Sequence, residues 1–288
     1  MIASSELIIN SDGSVFHLHL QPEELADTVI LVGDPDRSDM IAEYFDTVEL
    51  SRSNREFRSH TGTLNGKRLT VLSTGIGCDN IDIIMTELDA LANINFETRE
   101  IKSTHRTLRI VRLGTSGAIQ DEIKIGDYVM SAWSAGLDGL LNFYKGVEKV
   151  SDAALEEEFI RQTGWAARLA RPYFIKNDRE LVDLFSDFAI RGVTATASGF
   201  YAPQGRVVRL PLAQADYLEK IIDFRKDGLA ITNLEMESSA IAGLAALLGH
   251  RALTVCAIIA QRNAGEGNPD YVNIIRKLVE TALHKLTK

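Results

Sequence analysis

The segment Phe200-Tyr201-Ala202-Pro203-Gln204-Gly205-Arg206 places a side-chain amide and a guanidinium two residues apart, behind an aromatic pair. Pro203 and Gly205 keep the segment out of regular structure, so these groups ride on a loop. A Gln amide both donates and accepts, whereas Arg only donates and keeps its charge. Together they suit the edge of a planar, imide-like base. Gln204 can accept from the ring N–H and donate to one carbonyl, while Arg206 donates to the other. Phe200 or Tyr201 can lie against the ring or an attached sugar. Gln and Arg on loops are ordinarily just solvated, so the weight of this segment depends on what the rest of the chain supplies.

Three strand ends combine Gly with Arg or a hydroxyl: Gly33 with Arg37, Gly75-Ile76-Gly77, and Arg112-Leu113-Gly114-Thr115-Ser116-Gly117. Ligands of α/β sheets collect at the carboxyl ends of strands. Gly lets a backbone N–H approach an anion closely. Arg37 and Arg112 can fork onto one such anion, with Thr115 adding a hydroxyl donor. Taken singly, each Gly is a turn and each Arg a surface charge; jointly they make that account the weaker one. Gly75-Ile76-Gly77 lacks the third glycine of a dinucleotide fingerprint, since Asn80 occupies its place. Gly114-Thr115-Ser116-Gly117 does not have the spacing of a nucleophile elbow.

Glu235-Met236-Glu237 falls where a short strand meets a helix. Two carboxylates beside an apolar helix are costly to bury without partners. A ribose would supply partners, because its vicinal 2′- and 3′-hydroxyls can both donate to one carboxylate, with Met236 against the sugar face. A helix N-terminus, which favours acidic residues, explains Glu237 equally well without a ligand.

Apolar runs alternate with helical patterns from end to end, which predicts an α/β fold. Strands are expected at Thr28–Val32, Leu108–Leu113, Ile125–Trp133, Val193–Ser198, Leu229–Asn233 and Arg251–Ile259. Asn65-Gly66 signals a hairpin between Thr61–Leu64 and Arg68–Ser73. Helices are expected from Ile41 to Phe45, through Ile81, Ile84, Met85 and Leu88, at Leu212–Phe224, Met236–Leu248 and Tyr271–Leu286, and twice between Ala153 and Ala189, divided near Pro172. His17 and His19 alternate as on a strand, and the polar stretch Asn95 to Arg106 reads as an exposed insertion. No linker or repeat divides the 288 residues, which favours one domain over 1–288.

A net charge of −9 argues against binding nucleic acid or an anionic membrane, so an anionic substrate needs a local arginine cluster. The two cysteines, Cys78 and Cys256, lie far apart and fit reduced, cytosolic thiols. Met1 to Asn10 has neither the basic lead nor the apolar core of a signal peptide. Leu253 to Ala260, the most apolar run, is too short to span a bilayer. The six histidines form no H-E-x-x-H, and no C-x-x-C occurs, so no metal is expected from motifs. A cytoplasmic location follows from these features as an expectation.

In order along nearly the whole chain, from about Phe16 onward, these segments resemble the uridine phosphorylase branch of the nucleoside phosphorylase family. Gly33-Asp34-Pro35-x-Arg37 and Arg112-x-Gly114-Thr115-x-Gly117 are similar to the family's two phosphate loops. Arg55-Glu56-Phe57 resembles the segment whose Arg reaches the phosphate of a neighbouring subunit, and His17 matches a residue that reaches the partner's sugar. Phe200, Gln204 and Arg206 match the base-recognition positions, and Glu235, Met236 and Glu237 the ribose motif. Ile259-Ala260-Gln261-Arg262 is similar to the strand end that closes over the base, with different residues.

The resemblance implies an α/β/α sandwich with a mixed, curved central sheet. It also implies a hexamer of three dimers with active sites shared across each dimer, and no organic cofactor. The implied reaction is phosphorolysis of uridine by inorganic phosphate, with Arg206, Gln204 and Arg112 closest to the chemistry. A purine enzyme would place an Asp near Ile259–Arg262, where none stands. A nucleosidase using water would have no need for three phosphate arginines, and a non-catalytic nucleoside-binding or storage protein on the same fold is the remaining alternative. Some relatives hold a monovalent cation such as K+ at the dimer interface; Glu56 and Ile76 match there, but Asn80 replaces the expected hydroxyl.

Overall fold

Thr28–Val32, with four of five side chains buried, forms strand β1 in a computed structural model that describes residues 1–288. There follow α1 (Pro35–Ala42), β2 (Thr47–Asn54), β3 (Phe57–Leu64), β4 (Lys67–Ser73), α2 (Cys78–Asn93), β5 (Ile94–Asn95) and β6 (Glu100–Ile101). The chain continues with β7 (Arg109–Ala118), β8 (Tyr128–Gly136), α3 (Ala153–Thr163), β9 (Tyr173–Lys176), α4 (Arg179–Leu184) and β10 (Ile190–Thr196). It ends with α5 (Tyr217–Asp223), β11 (Ile231–Glu235), α6 (Ser238–Leu248), β12 (Arg251–Gln261), β13 (Glu266–Gly267) and α7 (Val272–Thr287).

Successive side chains leave a strand on opposite faces, and a strand covered on both sides is apolar throughout. Val29 and Leu31 of β1 join a core built with α2 and α6, whereas Ile30 and Val32 join one built with α1, α4 and α7. β7 divides in the same way, Ile110 going to the first core and Val111 and Leu113 to the second. That alternation is the three-layer α/β/α sandwich. A third core, in which Phe159 of α3 packs with Phe174 and Phe224, closes the end that carries β8 to β11.

All strands except β5 and β6 belong to one eleven-stranded mixed sheet. β7 runs parallel to β1 on one side and to β12 on the other, and its last residues meet β11 antiparallel. β12 also pairs with β8, and β8 continues through β10 to β11. The pairing therefore closes on itself and curves the sheet.

Several elements differ from expectation. β7 does not stop at Leu113 but runs through Gly114-Thr115-Ser116-Gly117, with Gly114 to Ser116 paired to Cys256 to Ile258 of β12 and Gly117 to Ala260 after a register shift. The two helices expected between Ala153 and Ala189 are shorter and enclose strand β9, which pairs with β8. The helix expected from Leu212 begins only at Tyr217. The Asn65-Gly66 hairpin forms as expected, with φ of 52° and 74° as a mirror-image turn requires. His17 and His19 lie in a turn, not a strand, with His19 at φ 52°. The insertion is a small exposed hairpin whose Arg99 donates to the carbonyls of Ile2 and Ala3.

Gly136 ends β8 beneath the buried ring of Tyr173, and a Cβ there would overlap the ring. The ring is tethered, because the Tyr173 hydroxyl donates to Asp138 at 2.8 Å and meets Ser239 Oγ at 3.1 Å. Gly136→Ala should therefore destabilise the fold by about 1–3 kcal/mol, the usual cost of overpacking. Urea unfolding monitored by circular dichroism measures this, and an unchanged midpoint would show that the ring yields freely.

Candidate active site

Arg112 projects from the middle of β7 into a buried group of charges. Its Nη2 donates to Glu237 Oε2, and its Nη1 lies 3.5 Å from Glu235 Oε2. All three side chains are at most 5% exposed. Gly114 is glycine for a steric reason, since a Cβ there would overlap the Arg112 guanidinium. Burial pulls the Arg112 pKa down, but Glu237 and then Glu235 outweigh it and hold the guanidinium charged. Burial pushes the Glu237 carboxyl up; Arg112 opposes that, and Glu235 adds to it. Nε of Arg112 is buried and bonds to nothing, which leaves one donor on this side chain for another acceptor.

The two glutamates have different roles. Glu235 Oε1 accepts from the Thr196 hydroxyl at 2.6 Å and the Ser238 hydroxyl at 2.9 Å, and its Oε2 accepts the N–H groups of Glu237 and Ser238, each at 2.9 Å. This carboxylate caps the start of α6 and is saturated by the chain itself. Of the two carboxylates expected at a ribose, Glu235 thus has its partners within the chain. Glu237 Oε1 accepts the Gly77 N–H at 2.7 Å, which ties the turn before α2 to the same cluster. The Met236 side chain is half-buried, and its carbonyl accepts from the Cys78 thiol at 3.3 Å.

The expected phosphate residues divide into those that meet and those that do not. Arg37, in the first turn of α1, is buried and donates to the Leu113 carbonyl at 3.2 Å, beside Arg112. Its pKa is lowered, first by burial and then by the Arg112 charge. Gly33 faces the Gly75 carbonyl, because β1 and β4 end side by side. Thr115 is half-buried on β7. Arg55 stands apart: it lies at φ 55° in the exposed turn between β2 and β3. His17 is close to the base of that turn, since Asn54 donates to its carbonyl at 2.8 Å and its ring packs edge-on to Phe57. Its Nδ1 meets Glu87 Oε1 at 2.6 Å. No contact joins Arg55 or His17 to the Arg112 cluster of the same chain. Glu56 and Asn80 both crowd Gly75, next to the exposed Ile76, so the residues matched to a monovalent cation are neighbours.

Gln204 is buried at the end of a short turn, Ala202–Gln204, and Gly205 follows at φ 73°. Arg206 Nη1 donates to Gln204 Oε1 and to the Phe200 carbonyl, each at 2.6 Å, and its guanidinium stacks 3.8 Å above the Phe200 ring. Arg can only donate, so Oε1 faces it, with one lone pair left over and Nε2 free to donate. Arg262, just past β12, donates to the Gln204 carbonyl at 3.1 Å and lies over Gly117. Burial first, and Arg262 second, bring the Arg206 pKa down to about 10, so it remains charged at neutral pH. Ile259 is half-buried on the same strand end.

Three features were not anticipated from the sequence. Thr196 and Ser238 supply hydroxyls to Glu235, the Ser239 N–H donates to the Thr196 hydroxyl, and the only trace of this is the small-residue run after Glu237. Asp138 takes hydroxyl bonds from Tyr173 and Ser239 at the flank of α6. Asp89, His105 and His250 bring ligand-type atoms within 4.8 Å of one another. Leu108 N–H donates to His250 Nδ1 at 3.1 Å, so Nε2 carries the ring proton and faces Asp89 Oδ1 at 3.1 Å. That tautomer offers no Nε2 lone pair to a metal.

Both cysteines border the cluster. Burial drives Cys256 up to about 12 despite Arg112, and Cys78 is raised well above its ordinary value, again mainly by burial. A thiol at about 12 is ionised to roughly one part in ten thousand at pH 8. An aromatic disulfide reagent at pH 8 should therefore titrate no thiol in the native protein and both in denaturant. Rapid native labelling would show that the cluster opens.

Residues 27–288 match the model of the phosphorylase superfamily. A uridine phosphorylase of Thermococcus kodakarensis is 30% identical over 266 residues, covering 91% of this chain and 83% of that protein. A DeoD-type purine nucleoside phosphorylase of Colwellia psychrerythraea is 30% identical over 253 residues, 87% of this chain and 88% of that one. Among solved structures, a Trypanosoma brucei nucleoside phosphorylase that shows uridine phosphorylase activity superposes with a TM-score of 0.87 at 30% identity, covering 97% of this chain and 99% of that chain. No helix is long and apolar enough to cross a membrane. With a sheet that curves around a buried Arg–Glu cluster and a family match over all but its first residues, the chain belongs to the phosphorylase superfamily.

Proposed function

We propose that this protein is a uridine phosphorylase, a pentosyltransferase that converts uridine and inorganic phosphate to uracil and ribose 1-phosphate. The observation that carries the choice of base is the Gln204–Arg206 pair, whose free lone pair and free N–H groups are complementary to an imide edge. The names and activities of the similar proteins support the same reading.

In this reading phosphate lies against Arg37, Arg112, Gly33 and Thr115, with the unpartnered Arg112 Nε turned to it. Arg55 and His17, which do not reach the Arg112 cluster of their own chain, serve the site of a neighbouring subunit across a dimer of the hexamer. Phosphate that takes Arg112 releases Glu237 Oε2 to the ribose hydroxyls, and Met236 bears on the sugar. Phosphate oxygen attacks C1′, and the N1–C1′ pair leaves with the base. Arg206 and Gln204 stabilise the charge that develops on the base oxygens, and the base regains a proton from hydrogen phosphate or solvent. No covalent enzyme intermediate is needed. A cytoplasmic location and a monovalent cation near Glu56 and Ile76 belong to the same reading.

A purine nucleoside phosphorylase is the second reading, favoured by the Colwellia relative. It lacks an acid at residues 259–262 to protonate a purine. A panel of uridine, thymidine, inosine and adenosine, each with and without phosphate, decides between them. Uridine should be cleaved fastest and only with phosphate; preference for inosine, or cleavage by water alone, would overturn the assignment.

Two substitutions test the roles. Gln204→Ala should lower kcat/KM for uridine at least about 10²-fold, the typical loss on removing one stabilising donor, and a wild-type rate would remove Gln204 from the base site. Arg112→Lys keeps the charge but loses the fork. It should raise the phosphate KM and lower kcat together, while uridine affinity measured without phosphate changes little. Unaltered phosphate dependence with weakened uridine binding would instead place Arg112 at the nucleoside.

A further inference from the structure

The opposite pole of the sheet carries a second concentration of positive charge. β1, β4 and β7 run parallel, with Thr28 level with Leu69 and Arg109 at one end, and Gly33 and Leu113 beyond the other. A groove of about 360 Å³ opens at the first end, and Lys67, Arg68, Arg106, Arg109 and Lys288 line it, with Asp27 the one acidic side chain. The five residues of β1 separate it from the Gly33 end by roughly 15 Å at strand rise. In a chain of net charge −9 this is a marked local reversal.

Only some of these cations serve the fold. Arg68 pairs with Glu49 at 2.8 Å and donates to the carbonyls of Leu25 and Glu23. Arg106 pairs with Asp27 at 2.6 Å and also reaches the Leu25 carbonyl. These two brace the segment that leads into β1. The salt bridges of the groove end there, and none reaches Lys67, Arg109 or Lys288. Arg109 is half-buried, and it also lines an adjoining groove of about 340 Å³ with Arg251. The Arg109 guanidinium is thus met by solvent rather than by an ion partner, and an anion would be the stronger partner.

We propose that this groove is an anion site, separate from the active site, for a condensed phosphate: the di- or triphosphate chain itself, free or carried by a nucleotide. Lys67 and Arg109, neither in a salt bridge, together with Lys288 exceed what a single monovalent anion would use. The apolar lining is confined to Ala26 and Leu286, with no aromatic ring on which a base could stack, so recognition is of the phosphate chain.

Isothermal titration of the full-length protein with inorganic tripolyphosphate tests this. The wild type should bind one equivalent per chain at the groove. Lys67→Ala/Arg109→Ala should weaken that binding at least tenfold while keeping the ligand-free melting temperature, and Arg37→Ala, at the other pole, should leave it intact. Should the double variant melt early, Lys67→Glu at an exposed position gives the same readout. No binding by the wild type, equal binding by the groove variants, or loss in Arg37→Ala would overturn the proposal. A nucleoside triphosphate that binds as tightly as tripolyphosphate identifies the carried form, and a much weaker one identifies the free chain. Tighter binding of hexaglutamate would overturn the phosphate assignment in favour of an acidic peptide.

Discussion

A buried guanidinium cannot shed its proton, so the structure around Arg112 has to neutralise it. Two carboxylates do so, and the cost of removing three charges from water is offset only because each is also hydrogen-bonded. Glu235 is held by Thr196, Ser238 and the first N–H groups of α6. Glu237 is held by Gly77, and Arg112 lies across both. One ion cluster thereby joins β7, β10, β11, the start of α6 and the turn before α2. The curvature of the sheet brings these elements together, since β11 reaches β7 only where the strand ring closes.

Completeness is uneven within the cluster. Glu235 has no capacity left, whereas Glu237 is bound by one backbone donor and one displaceable guanidinium. Arg112 retains a buried donor with nothing to meet. Removing one partner of a buried pair is strongly destabilising unless a replacement arrives. An anion at Arg112 and hydroxyls at Glu237 would replace each other's partner, so the two occupancies support one another. This follows from the geometry of one ion pair and requires no hinge.

Much of the fold was legible because strands buried on both faces are apolar at every position, as residues 29–32 and 255–258 are. The reading failed where glycine was taken as punctuation. Gly114 and Gly117 lie inside β7, where the Arg112 side chain occupies the space of a Cβ at Gly114 and the Arg262 side chain crowds it at Gly117. β9 was missed because four residues after a proline carry no periodicity, and only pairing with β8 makes them a strand. At the site, the pairing of Gln204 with Arg206 was visible from residue type and spacing, whereas the approach of Arg262 rested on the family resemblance alone. The saturation of Glu235 was not, because its donors come from a distant strand and from backbone groups. Sequence can show that a buried carboxylate needs partners, but whether they are ligand or protein is decided by packing.

Arg109 and Arg112 show the same point on a single strand. They are three residues apart, about 10 Å at strand rise, and chemically identical. Arg112, at most 5% exposed, could be buried only with carboxylates brought from β11 and the start of α6. Arg109, at the rim where β7 begins, keeps enough solvent to persist without an ion partner. The paired arginine is held in one geometry and suits a site that must aim at a reacting phosphate. The unpaired one is only partly compensated, and what it would gain from an anion depends on charge more than on shape. Burial, set by position along the strand, therefore separates a guanidinium that orients from one that attracts.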